Sequence, residues 1–400
     1  MGEAKHILFK EFIVLQRGFD LPKKKMSGGP YPVVGSTSIL GYHNEYKVEP
    51  PGVITGRSGS LGFVQYVSER YWPHNTALWV RDFKGNLPRY VYYYLQTLDL
   101  NRFNSGAGVP TLNRNDLDTL EVAIPPIPIQ HKIAAILSAY DDLIENSTRR
   151  MRILEETAQM IYQDWFVNFR FPGHESVRMV ESELGLIPEG WMVKRVDDVS
   201  TLHRGKSYRS ADLVDEGGLP FLNLKCIDRG GGFRYDGIKR FRGEFKDSQT
   251  AKPGDIIIAV TDMTQERRLV AHAARVPDIS ERVAVMSMDL VRVDSNENIP
   301  TEYLYGMFRF SDFSDAVKQH ANGVNVLHLN PERIGEFKFI LATEDLTARY
   351  ATICTDLYQL CDTLHIKNND CRRTRDLLLP RLISGEIDVE NLDIDTEVPA

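Results

Sequence analysis

Residues 125–171 read PPIPIQHKIAAILSAYDDLIENSTRRMRILEETAQMIYQDWFVNFRF, and this stretch decides the fold. Its apolar residues recur every three or four positions, a spacing typical of one face of a long amphipathic helix. Three prolines fit the first helical turn, and Phe171-Pro172-Gly173 predicts the end of the helix. A helix of roughly 40 residues is about 60 Å long, so one small domain cannot cover its apolar face. The face comprises Ile129, Ile133, Ile136, Tyr140, Leu143, Ser147, Met151, Leu154, Ala158, Ile161 and Trp165.

A second stretch further along the chain supplies a partner helix. The shift from Ile129 to Leu346, which we call the repeat offset, carries every position of the first face onto the second without a gap. Both stretches therefore share one order of three- and four-residue steps, including two successive steps of four that locally unwind a coiled coil. This agreement indicates an internal duplication. The second face comprises Leu346, Tyr350, Ile353, Leu357, Leu360, Leu364, Asn368, Cys371, Arg375, Leu378 and Leu382.

The direction of the second helix follows from its need to bury this face. To pack on the first helix, the second must run antiparallel to it. This arrangement predicts two globular regions at opposite ends of a rod, related by a pseudo-twofold axis.

The predicted fold class is α+β, with two mixed α/β domains in tandem repeat that are separated by two long antiparallel helices forming a coiled-coil rod. Both domains consist of short apolar segments broken by glycine and proline turns. We predict a first domain at residues 1–124, a central long helix at 125–171, a second domain at 172–341, a C-terminal long helix at 342–383 and a solvated acidic tail at 384–400.

Several short anchors recur in the two domains. Arg17-Gly18 has a counterpart in Arg204-Gly205, and the sequence pairs Gly108-Val109 with Gly323-Val324. The segments between the anchors differ in length and in chemistry. One scaffold therefore carries two different binding surfaces.

Composition limits the class of protein. The chain of 400 residues has 42% hydrophobic residues, 26% charged residues and a formal net charge of -7, which is ordinary for a soluble protein of two or three domains. The first domain carries 14 basic against 11 acidic residues, whereas the tail carries six acids and no base, so the net charge leaves a polyanionic partner open. No apolar run is long enough to span a membrane, and the N-terminus lacks a secretory pattern. We expect a cytoplasmic protein with no membrane partner.

The sequence contains no pattern typical of a catalytic or metal site. Arg204-Gly205-Lys206-Ser207 resembles the end of a phosphate-binding loop, but a serine occupies the position of the first glycine. Metalloprotease, hydrolase, zinc and adenine-methyltransferase motifs are missing. We therefore expect neither catalysis nor a metal or cofactor held by this chain. The cysteines lack metal-ligand spacing and are expected to be reduced thiols; they are Cys226, Cys354, Cys361 and Cys371.

Basic and aromatic residues interleave on loops, most densely at residues 225–246. Cations placed in this way can neutralise phosphates by counterion release, and arginine can read guanine edges. A solvated loop of a β domain is the alternative interpretation. A polar loop at 261–268 also carries groups that read base edges, although the end of a β-hairpin has the same composition. The candidate DNA-binding residues are Lys23, Lys24, Lys25, Tyr42, His43, Arg57, Ser58, Arg204, Lys206, Lys225, Arg229, Arg234, Tyr235, Lys239, Arg240, Arg242, Thr264, Gln265 and Arg267.

This combination resembles the specificity (S) subunit of type I restriction-modification enzymes. The matching motifs are Gly-Pro-Tyr-Pro-Val-Val-Gly-Ser at 29–36, Gly-Arg-Ser-Gly-Ser-Leu-Gly at 56–62, Pro-Pro-Ile-Pro-Ile-Gln at 125–130 and Leu-Gly-Leu-Ile-Pro-Glu-Gly-Trp at 184–191. The resemblance implies that each domain is a target recognition domain, which reads one half of a split, asymmetric sequence in double-stranded DNA. The helical rod would then set the length of the unread spacer.

The same resemblance implies partner subunits. Two methyltransferase (modification) subunits would transfer a methyl group from S-adenosylmethionine to a flipped adenine. Translocase/nuclease (restriction) subunits would join them, and the S-adenosylmethionine, ATP and Mg would be bound by these partners. Flanks of the long helices would dock the modification subunits, with wider burial within the helix pair as the alternative. We expect Leu143, Leu154, Leu360 and Leu378 to hold the helix pair, and Ile144, Ile153 and Phe166 to dock subunits.

Two hypotheses from other classes remain at this point. A two-domain structural adaptor would bind proteins at both ends of a helical spacer, and the near-neutral charge of the globular regions favours it. An enzyme with an unrecognised site would methylate or cleave DNA without partners.

Overall fold

The computed structural model describes residues 4–106, 108–279, 281–296 and 299–396. The chain divides into two compact units, one formed by Met1–Ser147 with Lys367–Ala400 and the other by Thr148–Ile366. The first long helix, Ile127–Tyr162, continues into a π-helical turn at Gln163–Val167, and the second long helix is Glu344–Ile383. Each long helix contributes one part to each unit. The two helices predicted from periodicity are confirmed.

The first unit contains an antiparallel four-stranded sheet in the order Val14–Arg17, Ala77–Asp82, Gly52–Gly56, Val64–Val67. A three-stranded sheet has the order Ile39–His43, Tyr31–Val34, Trp72–Pro73, and Lys5–Leu8 pairs with Glu121–Ile124. The helical segments of this unit, besides its parts of the long helices, are Phe9–Phe12, Lys23–Lys25, Pro88–Thr97, Leu100–Phe103 and Arg114–Asp118.

The second unit repeats this plan with additions. Its four-stranded sheet has the order Ser200–Arg204, Leu290–Ser295, Ile256–Ala259, Ala273–Arg275, and Met192–Arg195 pairs with Lys338–Leu341. A five-stranded sheet has the order Leu213–Val214, Lys239–Phe241, Leu219–Leu222, Ala284–Met286, Thr250–Ala251. Two further pairs join Met179–Ser182 to Gly185–Pro188 and Thr261–Asp262 to Leu327–His328. The helical segments are His174–Ser176, Val196–Val199, Ser210–Asp212, Leu224–Cys226, Tyr235–Gly237, Asp247–Gln249, Thr301–Phe310, Phe313–Val317, Lys318–His320 and Glu332–Gly335.

Close backbone approaches explain why the Arg-Gly anchor recurs. A Cβ atom on Gly18 would lie 2.1 Å from the carbonyl oxygen of His74, and one on Gly205 would lie 2.1 Å from that of Ser287. Only glycine fits such a contact. The anchor marks the same place in both domains, where the first strand of the four-stranded sheet ends.

The structure corrects one of the sequence pairings. The backbone amide of Ser105 donates to the Thr111 carbonyl (2.9 Å), and that of Asn322 donates to the His328 carbonyl (3.0 Å). The repeat offset relates these two bonds at both ends. Gly106 is therefore the equivalent of Gly323. The pairing of Gly108 with Gly323 is wrong. Gly106 and Gly108 lie close together in one loop, and the sequence comparison aligned the second of them with Gly323 in place of the first.

Hydrogen bonds define the direction of the long helices within each unit. In the first unit, Arg375 Nη1 donates to Asp141 Oδ1 at 2.6 Å, and Asn368 Nδ2 donates to the carbonyl of Ile144 at 3.4 Å. In the second, the Tyr350 hydroxyl donates to the Ala158 carbonyl at 3.4 Å, and the Cys361 thiol contacts the Met151 carbonyl at 3.7 Å. Numbers rise along one helix as they fall along the other, so the predicted antiparallel direction is confirmed.

The predicted apolar face is wrong at two leucines. Leu143 is 45% exposed and Leu360 is 38% exposed. In the first unit, Asp141 takes the inward position because it pairs with Arg375. In the second, the inward positions near Leu360 belong to Tyr358, whose ring contacts Tyr305, and to Cys361. Leu154 and Leu378 are half-buried.

The docking assignment of Phe166 is also wrong. Its side chain is 5% exposed and lies in the core of the second unit, against Trp191, Tyr303 and Tyr350. Phe166 follows Tyr162 by four residues, so the two side chains share one helix face, and Tyr162 is itself buried against Phe166. Ile144 is half-buried, as in the alternative of wider burial, whereas Ile153 is 50% exposed and remains a docking candidate.

The acidic tail is not a solvated extension over its first part. Val389 is 2% exposed and belongs to the core of the first unit. Lys132 Nζ donates to the carbonyls of Glu390 and Leu392 at 2.7 and 2.8 Å. The prediction of a solvated tail considered only its charge and overlooked the apolar residues that alternate with the acids at 386–392. Residues 397–400 lie outside the described residues.

Candidate nucleic-acid interface

The basic segment at 225–246 is anchored by buried apolar residues and exposes most of its cations. Cys226, Ile227 and Phe241 are at most 2% exposed, so they fix the segment to the second domain. Two arginines are engaged with acids. Arg234 forms an ion pair with Asp236, and Arg240 forms one with Glu281. The exposed cations are Lys225, Arg229, Arg234, Lys239, Arg242 and Lys246.

Phe241 and Tyr235 of this segment pack against other rings of the protein, whereas Phe245 is 39% exposed. Phe241 stacks on Phe221, and Tyr235 stacks on His365 of the second long helix. Burial raises the pKa of the Tyr235 hydroxyl far above its ordinary value. The prediction that Tyr235 contacts DNA is therefore wrong: an aromatic residue between cations has the same local sequence whether it faces solvent or a helix.

Arg242 and Lys239 provide a test of the segment. Replacing either with alanine in the assembled complex should weaken DNA binding about tenfold and reduce the slope of log K against log salt by about one, because a phosphate contact releases counterions. Arg178→Ala is the matched control, since Arg178 is exposed but precedes the second domain's sheets. Equal salt slopes for the Arg242, Lys239 and Arg178 variants would exclude the segment from the interface.

A buried carboxylate organises the polar loop at 261–268. Asp262 is 1% exposed, and it accepts hydrogen bonds from the amides of Leu269 (2.7 Å) and Thr264 (2.9 Å). Burial opposes ionisation, but the hydrogen bonds outweigh it and lower the pKa of Asp262 below its ordinary value. The carboxylate therefore stays charged and holds the loop.

Two predicted base-reading residues tie this loop to the next. Gln265 Nε2 donates to the Val324 carbonyl at 2.9 Å, and Arg267 Nη1 donates to Gln319 Oε1 at 3.0 Å. In the structure both side chains support the loop pair. Val324 is 91% exposed and Met263 is 65% exposed at the tips. Sequence reasoning did not select Val324 or Met263 because it searched for charged residues.

The first domain distributes its candidates over several elements. Lys23, Lys24 and Lys25 form an exposed 3₁₀ turn, and Tyr42 is 48% exposed. His43 Nδ1 lies 3.0 Å from the Ser27 hydroxyl. The three lysines and Tyr42 are exposed, and His43 is half-buried.

Arg57 lies in a different place, at a cleft that we call the arginine cleft. Arg57 Nη1 donates to the Asn75 carbonyl at 3.1 Å, and the neighbouring Ser58 carbonyl accepts from the Ser36 hydroxyl at 2.9 Å. Sequence reasoning missed the two other arginines of this cleft because they are distant along the chain. Its lining residues are Arg17, Arg57, Leu78, Ser105, Thr111, Leu112, Asn113 and Arg114.

The second domain has equivalents of Arg17 and Gly18 in Arg204 and Gly205. Arg204 Nε donates to the Met288 carbonyl at 3.1 Å, and the Lys206 amide donates to the Met286 carbonyl at 2.7 Å. Arg204 ends the first strand of the sheet, and Lys206 follows it. Their backbone positions therefore match Arg17 and Phe19 of the first domain.

Other classes of site find no support in the described parts of the chain. No cluster of three histidine, cysteine, aspartate or glutamate side chains that could hold a metal occurs there. Within the same residues, no helix is both long and apolar enough to cross a membrane. The four cysteines are unpaired thiols, and burial raises the pKa of Cys226 to about 12.

Comparison with known families matches most of the chain. The model of the type I restriction modification DNA specificity domain matches twice, at residues 9–156 and 188–369. Each match covers one globular domain and part of the long helix that follows it.

Individual relatives agree with this match. The specificity subunit of the type I restriction enzyme MjaIX from Methanocaldococcus jannaschii is 24% identical over 320 residues, which cover 77% of this chain and 71% of the relative. The EcoprrI specificity subunit from Escherichia coli is 29% identical over 130 residues, or 32% of each chain. A crystal structure of the S subunit from M. genitalium has a TM-score of 0.61 and 16% identity, covering 96% of this chain and 99% of that one.

Proposed function

Because the chain belongs to the type I restriction modification DNA specificity family, we propose that its two recognition domains read the two halves of a split, asymmetric DNA sequence. The chain is a non-catalytic specificity subunit with two recognition domains.

One observation carries the proposal of a split, asymmetric target. The two four-stranded sheets have the same strand order, yet the second domain adds the basic segment at 225–246 and the first domain has the arginine cleft. A shared framework supports two domains that dock on DNA in the same way. Different loops support recognition of different bases. We therefore expect a DNA target whose two halves differ in sequence.

Repeated exposed residues on the long helices support docking of two copies of one partner. Leu143 and Leu360, which the repeat offset relates, are 45% and 38% exposed; Met160 and Leu377, at the same offset, are 63% and 62% exposed. Apolar residues that stay exposed at matching positions favour a matching apolar partner. We propose that two modification subunits cover them, and that restriction subunits join this assembly.

The leucine pair gives a direct test. Leu143→Asp combined with Leu360→Asp should reduce the number of modification subunits bound, since a charge would be buried in each interface. Each single substitution should weaken assembly by about 2 kcal/mol or more. Native mass spectrometry of the purified complex measures both effects. Leu186→Asp is the control because Leu186 is 54% exposed on the hairpin ending at Pro188. An unchanged mass for the double variant would place the partners elsewhere.

The proposal assigns the chemistry to the partners. S-adenosylmethionine would be bound by the modification subunits, and ATP and Mg by the restriction subunits. Action on chromosomal DNA would place the assembly in the cytoplasm. The adaptor hypothesis accounts for the long helices but gives no reason for cations on the added loops.

Selection of DNA by the purified complex tests the proposed function. Duplexes with randomised bases, bound by this chain together with its modification subunits, should yield one motif with two specified halves and an unspecified spacer. Replacing the exposed cations of the 225–246 segment should relax one half only. Methylation should require the partners. A continuous motif, or no enrichment of any sequence, would contradict the proposal.

A further inference from the structure

Three elements of the first domain bring one arginine each to the same edge of the sheet. Arg17 ends the strand Val14–Arg17, Arg57 follows the strand Gly52–Gly56, and Arg114 begins the helix Arg114–Asp118. Both strands are antiparallel to Ala77–Asp82, which lies between them. Their ends therefore meet at one edge, and the three side chains line the arginine cleft.

Hydrogen bonds hold these side chains in place. Arg17 Nη2 donates to Asp20 Oδ1 at 2.8 Å, and the side-chain amide of Asn75 donates to the same oxygen. Arg57 in turn donates to the Asn75 carbonyl, and Arg114 Nη1 donates to the Leu15 carbonyl at 3.3 Å. Each guanidinium has five N–H donors, so these bonds position it and leave other donors for a ligand.

The charge in the cleft favours an anion. Among the described residues that line it, three are arginines and none is an aspartate or glutamate; Asp20, which pairs with Arg17, offsets one of the three positive charges. The lining therefore keeps an excess of positive charge, which attracts an anion. The planar guanidinium matches the oxygen atoms of a phosphate group. Ser105, Thr111 and Asn113 add polar groups to the lining.

We propose that the arginine cleft binds a backbone phosphate of DNA and thereby sets the position of the first recognition domain on its half of the target. This inference rests on the proposed function. It adds Arg17 and Arg114, which sequence reasoning did not select, and makes Asp20 and Asn75 positioning residues.

The second domain does not repeat this site. By the repeat offset, Pro331 takes the place of Arg114. The bridge between Thr261 and His328 matches the one between Ser58 and Thr111, so Val260, which is 1% exposed, takes the place of Arg57. Of the three arginines only Arg17 has a basic equivalent, Arg204. The two domains thus hold the DNA backbone through different residues.

The experiment uses the complex of this chain with its modification subunits and a DNA duplex carrying the sequence methylated in the source genome. Arg17→Ala and Arg114→Ala should each weaken binding about tenfold and lower the salt slope by about one. Both residues are exposed, so the fold should be kept, and the melting temperature of each variant checks this. Lys10→Ala, an exposed cation on Phe9–Phe12, is the matched control and should bind as the unaltered chain does.

Neutral phosphate analogues identify the contact itself. A methylphosphonate introduced at one backbone position in the first half-site should weaken binding by the unaltered chain about tenfold, and by the Arg114→Ala variant much less, because the contact is already lost. Additive losses at every backbone position would overturn the inference while the proposed function stands. If the unaltered complex does not prefer this duplex over a scrambled one, the proposed function fails and the inference with it.

Discussion

Replacing Phe166 with alanine should lower the free energy of unfolding of the second unit by about 3–5 kcal/mol. Phe166 is 5% exposed, and its ring centroid lies 4.9 Å from that of Tyr303 and 5.3 Å from that of Tyr350. Removing the ring leaves a cavity in an aromatic cluster that joins both long helices to the sheet domain. Neighbouring tyrosines cannot fill it, because Tyr350 also contacts the rings of Tyr162 and Trp165, and Tyr303 contacts Tyr162 and donates a hydrogen bond to the Ile340 carbonyl.

Urea unfolding of the isolated chain, followed by tryptophan fluorescence, measures this change. Trp191 contacts Phe166 at a centroid distance of 6.0 Å and reports on the cluster. Met160→Ala is the control, because Met160 is 63% exposed on the same helix and its loss should cost less than about 0.5 kcal/mol. If Phe166→Ala unfolds like the unaltered chain but fails to bind modification subunits, the assignment of Phe166 to the core is incorrect.

Replacing Asp141 with alanine should destabilise the first unit by about 3 kcal/mol. Asp141 accepts hydrogen bonds from Arg375 Nη1 and from the Tyr93 hydroxyl, both at 2.6 Å. It therefore joins the first long helix to the second and to the helix Pro88–Thr97. The Asp141 and Arg375 side chains are only 21% and 23% exposed, so the substitution leaves a poorly solvated arginine with Asp376, which is 62% exposed, as its remaining acidic partner.

The same unfolding assay tests the ion pair. Glu336→Ala removes an ion pair to Arg333 in which both side chains are about half exposed, and it should cost less than about 1 kcal/mol. A variant with leucine at both 141 and 375 should recover part of the stability, because two apolar residues replace two charges while the buried Tyr93 hydroxyl loses its acceptor. Equal, small losses for the Asp141 and Glu336 variants would show that the pair contributes little to helix association.

The helices were predictable because their periodicity is strong over many turns, and their partnership was predictable because the irregular steps recur at the repeat offset. The exposure of Leu143 was not predictable from this periodicity. The spacing of apolar residues predicts that Asp141 faces outward. In the structure Asp141 faces inward, because Arg375 and the Tyr93 hydroxyl both donate hydrogen bonds to it. The burial of Phe166 follows from the i, i+4 series Ala158, Tyr162 and Phe166, all of which are buried, and the predicted face included only the first of these three residues.

The candidate interface was predictable where it is local in sequence. The cations at 225–246 follow one another along one segment, and most of them are exposed. The arginine cleft combines residues from positions 17, 57 and 114, which only the strand order brings together. Tyr235 illustrates the opposite error, since its stacking partner His365 lies far along the chain on the second long helix.

The most direct test of the central claim is single-molecule mapping of N6-methyladenine in the source genome, with this gene intact, deleted and restored. We expect that deletion removes one motif with two specified halves and an unspecified spacer, that all other marks persist, and that restoration returns the motif. Retention of every methylated motif after deletion would contradict the assignment of this chain as the subunit that selects the DNA sequence.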